Sequence, residues 1–118
     1  MHGGGSVRKS HIINTLKEKL QLIGKILVCT CPTAIGANLL PNGYTFHSVF
    51  KPDKKIITAK DLSMMKRILN SSVTMIIIDE VSILPSNYST LLDERLKLIY
   101  DSLQNFARMS ILLSGDFV

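Results

Sequence analysis

The chain has 118 residues, enough for one domain or part of one, and its hydrophobic fraction of 46% suffices for a buried core. No run approaches the ~18–20 continuous apolar residues of a membrane span. The first five residues lack the apolar segment of a secretion signal, so neither a membrane protein nor a secreted one is expected.

The net charge of +5 is unevenly distributed. Residues 1–60 hold nine basic and two acidic side chains, whereas residues 61–118 hold five basic and seven acidic ones. The basic half suits a polyanion such as phosphate or nucleic acid, and equally suits ordinary solvated faces.

The first half of the chain predicts a loop, two helices and one strand. Glycines favour a loop at 3–7, and an apolar stripe predicts a helix at about 10–23 that Gly24 ends. An apolar run predicts a buried strand at 26–31, followed by a short helix at 33–40. The helical stripe consists of Ile12, Ile13, Leu16, Leu20 and Ile23.

The two cysteines lie in the first predicted strand. Cys29 and Cys31 are two residues apart in an apolar run, which favours small core residues of a reduced, intracellular protein. A Cys-x-Cys zinc site would need two further ligands, and the three histidines show no metal-ligand spacing.

The second half of the chain predicts two helices and two strands. Residues 51–60 are rich in lysine and predict an exposed loop or a short hairpin. Helical spacing follows at 61–70 and again at about 88–105, where Leu103 is the last residue of the apolar stripe. Apolar runs predict strands at 73–79 and 109–113. The order of elements predicts a parallel α/β sheet flanked by helices.

Two acids follow the most apolar strand directly. Residues 75–78 read Met-Ile-Ile-Ile, typical of a strand buried on both faces, and Asp79 and Glu80 come next. Acids at the carboxyl end of such a strand lie where open α/β sheets bind ligands. A hard cation such as Mg²⁺ would neutralise their negative charge. The alternative is that Asp79 or Glu80 caps a following helix.

The N-terminal glycines resemble a phosphate-binding loop, whose pattern is Gly-x-x-x-x-Gly-Lys-Ser/Thr. Gly3, Lys9 and Ser10 fit that pattern in register, whereas Arg8 occupies the second glycine position. Lysine would contact the β- and γ-phosphates, and the serine hydroxyl would bind Mg²⁺. A glycine-rich tail ahead of a helix is the alternative. The candidate ATP-binding segment comprises Gly3, Gly4, Gly5, Ser6, Val7, Arg8, Lys9 and Ser10.

The loop and the acid-tipped strand together predict a nucleoside-triphosphatase site with ATP and Mg²⁺ as ligands. Asp79 would hold the magnesium through water, with Ser10 as a second ligand, and Glu80 would position or deprotonate the attacking water. Lys9 and Glu80 are therefore the candidate catalytic residues.

Four further segments occur in a characteristic order. They are Cys31-Pro32-Thr33-Ala34-Ile35-Gly36-Ala37-Asn38, Gly43-Tyr44-Thr45-Phe46-His47-Ser48-Val49-Phe50, Ile78-Asp79-Glu80-Val81-Ser82 and Leu113-Ser114-Gly115-Asp116-Phe117. In this order they resemble the first half of the petite-integration-frequency DNA helicases, superfamily 1 enzymes that include the helicase domains of Helitron transposons. The resemblance covers essentially the whole chain.

The resemblance implies a fold, an activity and further site residues. It implies that residues 1–118 form an incomplete first RecA-like P-loop domain, without the strand before the loop and without the second domain. It implies ATP-dependent movement from 5′ to 3′ on single-stranded DNA, in a nuclear protein of DNA repair, recombination and telomere maintenance. Asp116 is implied to sense the γ-phosphate, and the implied DNA contacts are Pro32, Thr33, Thr45, His47 and Ser48.

Several residues depart from the family pattern. Arg8 and Ser6 replace glycines of the loop, and Ala34 replaces the glycine usual after Pro-Thr. The family's sheet places strand 109–113 between the loop strand and the acid-tipped strand, so without the loop strand residues 111–113 would form an uncovered apolar edge. The alternatives to a helicase fragment are a nucleic-acid-binding module that does not use ATP and an inactive transposon-derived remnant. For His47 the alternative is a buried side chain bonded to a loop carbonyl.

Overall fold

A four-stranded parallel sheet with helices on both faces forms the fold, confirming the predicted α/β class. The computed structural model describes residues 3–114, with side chains described from Lys9 onward. The strand order is β2-β1-β3-β4. The elements are α1 (Gly3–Leu22), β1 (Ile26–Cys31), α2 (Ala34–Asn38), β2 (Gly43–Thr45), α3 (Phe46–Phe50), α4 (Ala59–Ile68), β3 (Val73–Ile78), α5 (Tyr88–Ile99) and β4 (Ser110–Leu113).

Two apolar clusters lie on opposite faces of the sheet. Alternate residues of β1 point to opposite faces, as the pleat requires. Leu27, Cys29 and Cys31 pack with α1 and α2, whereas Val28 packs on the other face with α3, α4 and α5. Strand β3 is buried on both faces at Ile76, Ile77 and Ile78, as their apolar run predicted. No helix of the described residues is both long enough and apolar enough to cross a bilayer.

Strand β4 is an edge strand of the described sheet. It pairs with β3 on one side, with Ile78 opposite Leu113. Leu112 and Leu113 are 44% and 49% exposed. The predicted apolar edge at residues 111–113 is therefore confirmed within residues 3–114.

Several predicted boundaries are confirmed by their capping contacts. Gly24 adopts φ +73°, and the Lys25 N–H donates to the Leu20 carbonyl, which ends α1 in a Schellman motif. Thr33 caps α2 by accepting a hydrogen bond from the Gly36 N–H at 3.1 Å. Strands β1 and β3 match their predicted ranges to within one residue.

Other predictions are wrong at particular residues. The loop predicted at 3–7 is helical, since α1 begins at Gly3. Ser6 and Arg8 stand where the loop pattern has glycines. Residues other than glycine disfavour a left-handed backbone and favour a helical one, so these two residues can continue the helix. The helix predicted at 88–105 ends at Ile99, because Asp101 takes a left-handed conformation with φ 50°, and Leu103 is consequently exposed. Strand β2 and helix α3, three and five residues long, were not predicted.

A buried arginine holds the segment between α3 and α4. The Arg95 side chain on α5 donates to three backbone carbonyls, those of Phe50 at 2.8 Å, Lys51 at 3.1 Å and Lys54 at 2.7 Å. Arg95 is 7% exposed, so this charge is stabilised by peptide dipoles of the segment it holds. The lysine-rich stretch predicted as a loop or hairpin is therefore a loop fixed at its start by α5.

Replacing Arg95 with methionine should destabilise the protein by about 2–4 kcal/mol, because three carbonyls lose a charged donor at once. Urea denaturation followed by circular dichroism measures this change. The control is Arg67→Met on the exposed face of α4, for which a change within about 0.5 kcal/mol is expected. Equal effects of the two substitutions would contradict the role assigned to Arg95.

An acid in the first turn of α4 completes a capping box. Asp61 accepts from the Thr58 N–H at 3.1 Å, and its own N–H donates to the Thr58 hydroxyl at 3.1 Å. The Lys54 ammonium lies 2.9 Å from both carboxylate oxygens. The hydrogen bond from Lys54, followed by that from Thr58, lowers the pKa of Asp61 from 3.8 to about 2.

The lowered pKa predicts an acid-dependent loss of stability. The ionised Asp61 stabilises the fold fully above its unfolded pKa near 3.8, and this contribution is lost as the pH falls through the folded pKa of about 2. The unfolding free energy of Asp61→Asn should therefore fall less steeply than that of the parent between pH 4 and pH 2. Gln21→Ala, which alters an exposed residue without a titratable group, should leave the slope of the parent unchanged.

Candidate nucleotide and DNA site

The carboxyl ends of all four strands meet at one edge of the sheet. In register, Cys31 of β1 lies opposite Thr45 of β2, and Thr30 of β1 lies opposite Ile78 of β3. The residues that follow these strand ends are therefore neighbours in space although they are far apart in sequence. This edge gathers Pro32 and Thr33, Thr45 to Ser48, and Asp79 and Glu80, at the position where parallel sheets bind ligands.

An ion pair joins the N-terminal helix to the acid-tipped strand. The Lys9 ammonium of α1 lies 3.0 Å from Asp79 Oδ1, across 70 residues of sequence. The Asp79 side chain is 10% exposed, so its charge needs a nearby cation or donor. The structure thus brings together the lysine and the aspartate predicted to form one site.

A small cavity of about 140 Å³ lies beside this ion pair. Its volume is below the ~300 Å³ at which ligand pockets usually begin, so it suits a phosphate group rather than a whole nucleoside. Ser10 lines the cavity together with the ion pair, which places a hydroxyl and a carboxylate where Mg²⁺ would find oxygen ligands. The lining residues are Lys9, Ser10, Gly36, Leu39, Leu40, Asp79 and Glu80.

Glu80 occupies a strained backbone conformation. Its φ and ψ of 54° and 45° lie in the left-handed region, which costs a non-glycine residue roughly 1–2 kcal/mol. The strain is supported by hydrogen bonds on both sides, from Glu80 N–H to Asp79 Oδ1 and from Val81 N–H to the Ser114 carbonyl. Strain of this kind is frequent at functional sites.

The alternative role of the acids as helix caps receives little support. A single 3₁₀ turn, Val81–Ile83, follows the strand, and the Glu80 side chain makes no capping hydrogen bond to it. Asp79 accepts the Glu80 N–H and the Lys9 ammonium on the same oxygen. Its side chain is thus bonded within the candidate site rather than to a helix end.

The candidate DNA contacts have different local roles. Thr33 and Thr45 cap α2 and α3 through their hydroxyls, and the Ser48 hydroxyl donates to the Thr45 carbonyl at 2.8 Å. Pro32 follows β1 at the same edge. The His47 side chain is 51% exposed and lies 3.9 Å from Asp53, so the alternative of a buried histidine is wrong.

Part of the predicted ATP site is not described at the level of side chains. For Gly3, Gly4, Gly5, Ser6, Val7 and Arg8, the description extends to the helical backbone. Asp116 lies outside the described residues. The roles predicted for these residues stay predictions.

Sequence reasoning missed two residues that shape the site. A Cβ on Gly36 would lie 2.3 Å from Cys31 Sγ and 2.9 Å from Thr33 Oγ1, so a side chain larger than hydrogen does not fit there. Cys31 itself lies with Asp79 and Glu80 in a group whose potential metal-ligating atoms are all within 4.8 Å of one another. Burial raises the pKa of the Cys31 thiol. The pairing of β1 with β3 creates this proximity, which spacing along the chain cannot indicate.

Solved structures of related fold resemble the chain over most of its length. Pif1 helicase from Candida albicans is 22% identical, with a TM-score of 0.72 over 97% of this chain and 26% of that one. Unliganded Pif1 from a Bacteroides species is 24% identical, with a TM-score of 0.67 over 92% of this chain and 25% of that one. The Bacteroides protein in complex with ADP-AlF3 and single-stranded DNA is 24% identical, with a TM-score of 0.60 over 79% and 23% of the two chains.

The chain thus spans about a quarter of the length of these solved relatives. No protein with a curated description matches it. A family model described as PIF1-like helicase matches residues 1–118, the whole of the sequence given. Together with the α/β sheet and the lysine–aspartate pair at its edge, this match shows that the chain belongs to the PIF1-like helicase family.

Proposed function

We propose that the chain is part of an ATP-dependent DNA helicase that moves from 5′ to 3′ on single-stranded DNA. The contact between Lys9 and Asp79, 3.0 Å long and largely shielded from water, is the observation that carries the proposal. A lysine for phosphate and an acid for magnesium are the two halves of a triphosphatase site. Complexes of a Bacteroides Pif1 with ADP-AlF3 and single-stranded DNA support both ligands by analogy.

The residues at the sheet edge have separate proposed roles. Lys9 would bind the β- and γ-phosphates, and Ser10 and Asp79 would hold Mg²⁺, which would neutralise phosphate charge. Glu80 orients the attacking water and accepts its proton, and its left-handed backbone keeps the carboxylate beside the cavity. Unwinding additionally needs a second domain that closes on the nucleotide, so the role proposed for this chain is that of part of the first domain.

We also propose the cellular setting that the family resemblance suggests. It comprises a nuclear location and a role in DNA repair, recombination and telomere maintenance, in a gene of Helitron type. These proposals rest on the order of the four motifs in the sequence.

An ATP-independent nucleic-acid-binding module is the second candidate function. The excess of basic side chains in residues 1–60 favours it. Both candidates predict binding to single-stranded DNA that weakens with salt, because contacts to phosphate release counterions. They differ in whether a nucleotide changes the DNA affinity.

Removing the proposed phosphate and magnesium ligands should weaken nucleotide binding. Lys9→Ala and Asp79→Asn are each expected to lower the affinity for a fluorescent ATP analogue with Mg²⁺ by about tenfold or more, since a charged hydrogen bond contributes about 1.5–3 kcal/mol. Lys19→Ala, on the exposed face of the same helix, is the matched control. If both variants fold, as verified by circular dichroism, and bind the ATP analogue with unchanged affinity, the proposed site is contradicted.

The exposed histidine at the sheet edge should contribute to DNA binding. His47→Ala is expected to weaken binding of a fluorescent oligothymidylate by about fivefold or more, because stacking on a base contributes about 1–3 kcal/mol. His11→Ala, an exposed histidine on α1, is the control. Anisotropy titrations with and without the ATP analogue separate the two candidates: a changed DNA affinity supports the helicase, and an equal affinity supports the ATP-independent module.

A further inference from the structure

We propose that Cys31, Asp79 and Glu80 form a binding site for a thiophilic divalent cation of the Zn²⁺ type. The Cys31 sulfur and one carboxylate oxygen from each acid lie within 4.8 Å of one another. Cys31 is fully buried and Asp79 is 7% exposed, so two of the three ligands are already withdrawn from water. One sulfur and two oxygens are a donor set that Zn²⁺ accepts.

The backbone brings these ligands close before any cation binds. Cys31 ends β1 and Asp79 follows β3, and the Asp79 N–H donates to the Thr30 carbonyl at 2.9 Å. Tetrahedral zinc, with bonds of about 2.0–2.3 Å, separates neighbouring ligand atoms by roughly 3.5 Å. The ligand atoms therefore need to approach by about 1 Å, which is within the reach of the side-chain torsions of Glu80.

The Asp79 carboxylate has one oxygen available for the cation. Both of its hydrogen bonds, from Lys9 and from the Glu80 N–H, are accepted by Oδ1. Among the described residues, no donor contacts Oδ2 within hydrogen-bonding distance. The Cys31 sulfur lies 3.8 Å from the Thr33 hydroxyl, a long contact that a metal–sulfur bond would readily replace.

The fourth position of the cation faces the cavity. Asp79 and Glu80 line the cavity of about 140 Å³, which gives a cation an entry route and room for a water molecule as fourth ligand. Binding takes the proton of the Cys31 thiol and releases it to solvent, so that a thiolate–metal bond replaces an S–H bond. Thiolate sulfur favours Zn²⁺, Cd²⁺ or Co²⁺ over Mg²⁺, which prefers oxygen ligands.

The site has a consequence for the proposed ATPase, and this step rests on the proposed function. Asp79 would be a ligand both of the thiophilic cation and of the magnesium that accompanies ATP. When the thiophilic cation holds the Asp79 carboxylate beside Cys31, that carboxylate cannot at the same time take the position that magnesium binding requires. Zn²⁺ binding and Mg·nucleotide binding are therefore expected to exclude each other, so that zinc acts as an inhibitor.

Cobalt provides a direct test, because Co²⁺ bound to a thiolate gives a near-ultraviolet charge-transfer absorption. Co²⁺ is titrated into the nucleotide-free protein, and Zn²⁺ is then added to displace it. We expect the absorption in the parent and in Cys29→Ala, which removes the neighbouring cysteine on the same face of β1. We expect its loss in Cys31→Ala and at least a tenfold lower cobalt affinity in Glu80→Gln, whose side chain is partly exposed.

Each outcome bears on the proposal. No absorption in the parent, persistence of the absorption in Cys31→Ala, or undiminished affinity in Glu80→Gln would overturn it. If Cys31→Ala does not fold, as judged by circular dichroism, the affinity of Glu80→Gln decides. Addition of Mg·ADP to the cobalt-loaded protein should abolish the absorption. If cobalt binds and Mg·ADP has no detectable affinity for the cobalt-free protein, the metal site stands and the proposed ATPase fails.

Discussion

The parallel pairing of β1 with β3 is the constraint on which the rest of the structure depends. It aligns Thr30 with Ile78, so that the chain leaves both strands at the same level of the sheet. The hydrogen bond from the Asp79 N–H to the Thr30 carbonyl extends this alignment one residue beyond β3. The group around Cys31 follows from these two strand ends, which are held side by side, and α1, packed on the same sheet, brings Lys9 to Asp79.

Burial of β3 explains why the acids at its end are bonded as they are. Three successive isoleucines, Ile76 to Ile78, are almost completely withdrawn from solvent, and Asp79 comes directly after them. A carboxylate in that position loses most of its hydration, and the loss must be offset by a cation and by peptide donors. Lys9 and the Glu80 N–H supply both at 3.0 Å. The left-handed turn at Glu80 directs the next peptide, whose Val81 N–H donates to the Ser114 carbonyl at 3.2 Å, and this contact gives the strained conformation a physical cause.

The sequence was sufficient for the elements whose signals are long or chemically distinct. The apolar runs of β1 and β3, the cap at Thr33 and the end of α1 at Gly24 were all predicted, because burial and capping act on contiguous residues. Strand β2, with three residues, is too short for any periodicity to show. The helix predicted to continue to residue 105 illustrates the opposite error, since apolar spacing persisted to Leu103 while the backbone turned at Asp101.

The site was predictable in part for the same reason. Lys9 and Asp79 belong to motifs that each occupy a few adjacent residues, so their meeting could be expected before the fold was known. Cys31 could not be assigned, because its proximity to Asp79 and Glu80 arises from strand register across nearly 50 residues. Arg95 is similar: a helical arginine reads as a solvated residue, and its three carbonyl acceptors lie more than 40 residues earlier.

The two oxygens of Asp79 connect the fold with its proposed chemistry. Oδ1 accepts the bonds that fix α1 and the Glu80 turn against the sheet, whereas no donor in the described part of the chain contacts Oδ2. A ligand that bound through Oδ2 would leave the Glu80 N–H contact intact and would compete with Lys9 through charge alone. Phosphate can then draw Lys9 away from Asp79 without dismantling the turn, since the peptide donor at Oδ1 remains. A thiophilic cation would use the same free oxygen from the side of Cys31, which is why one carboxylate can serve either ligand but not both.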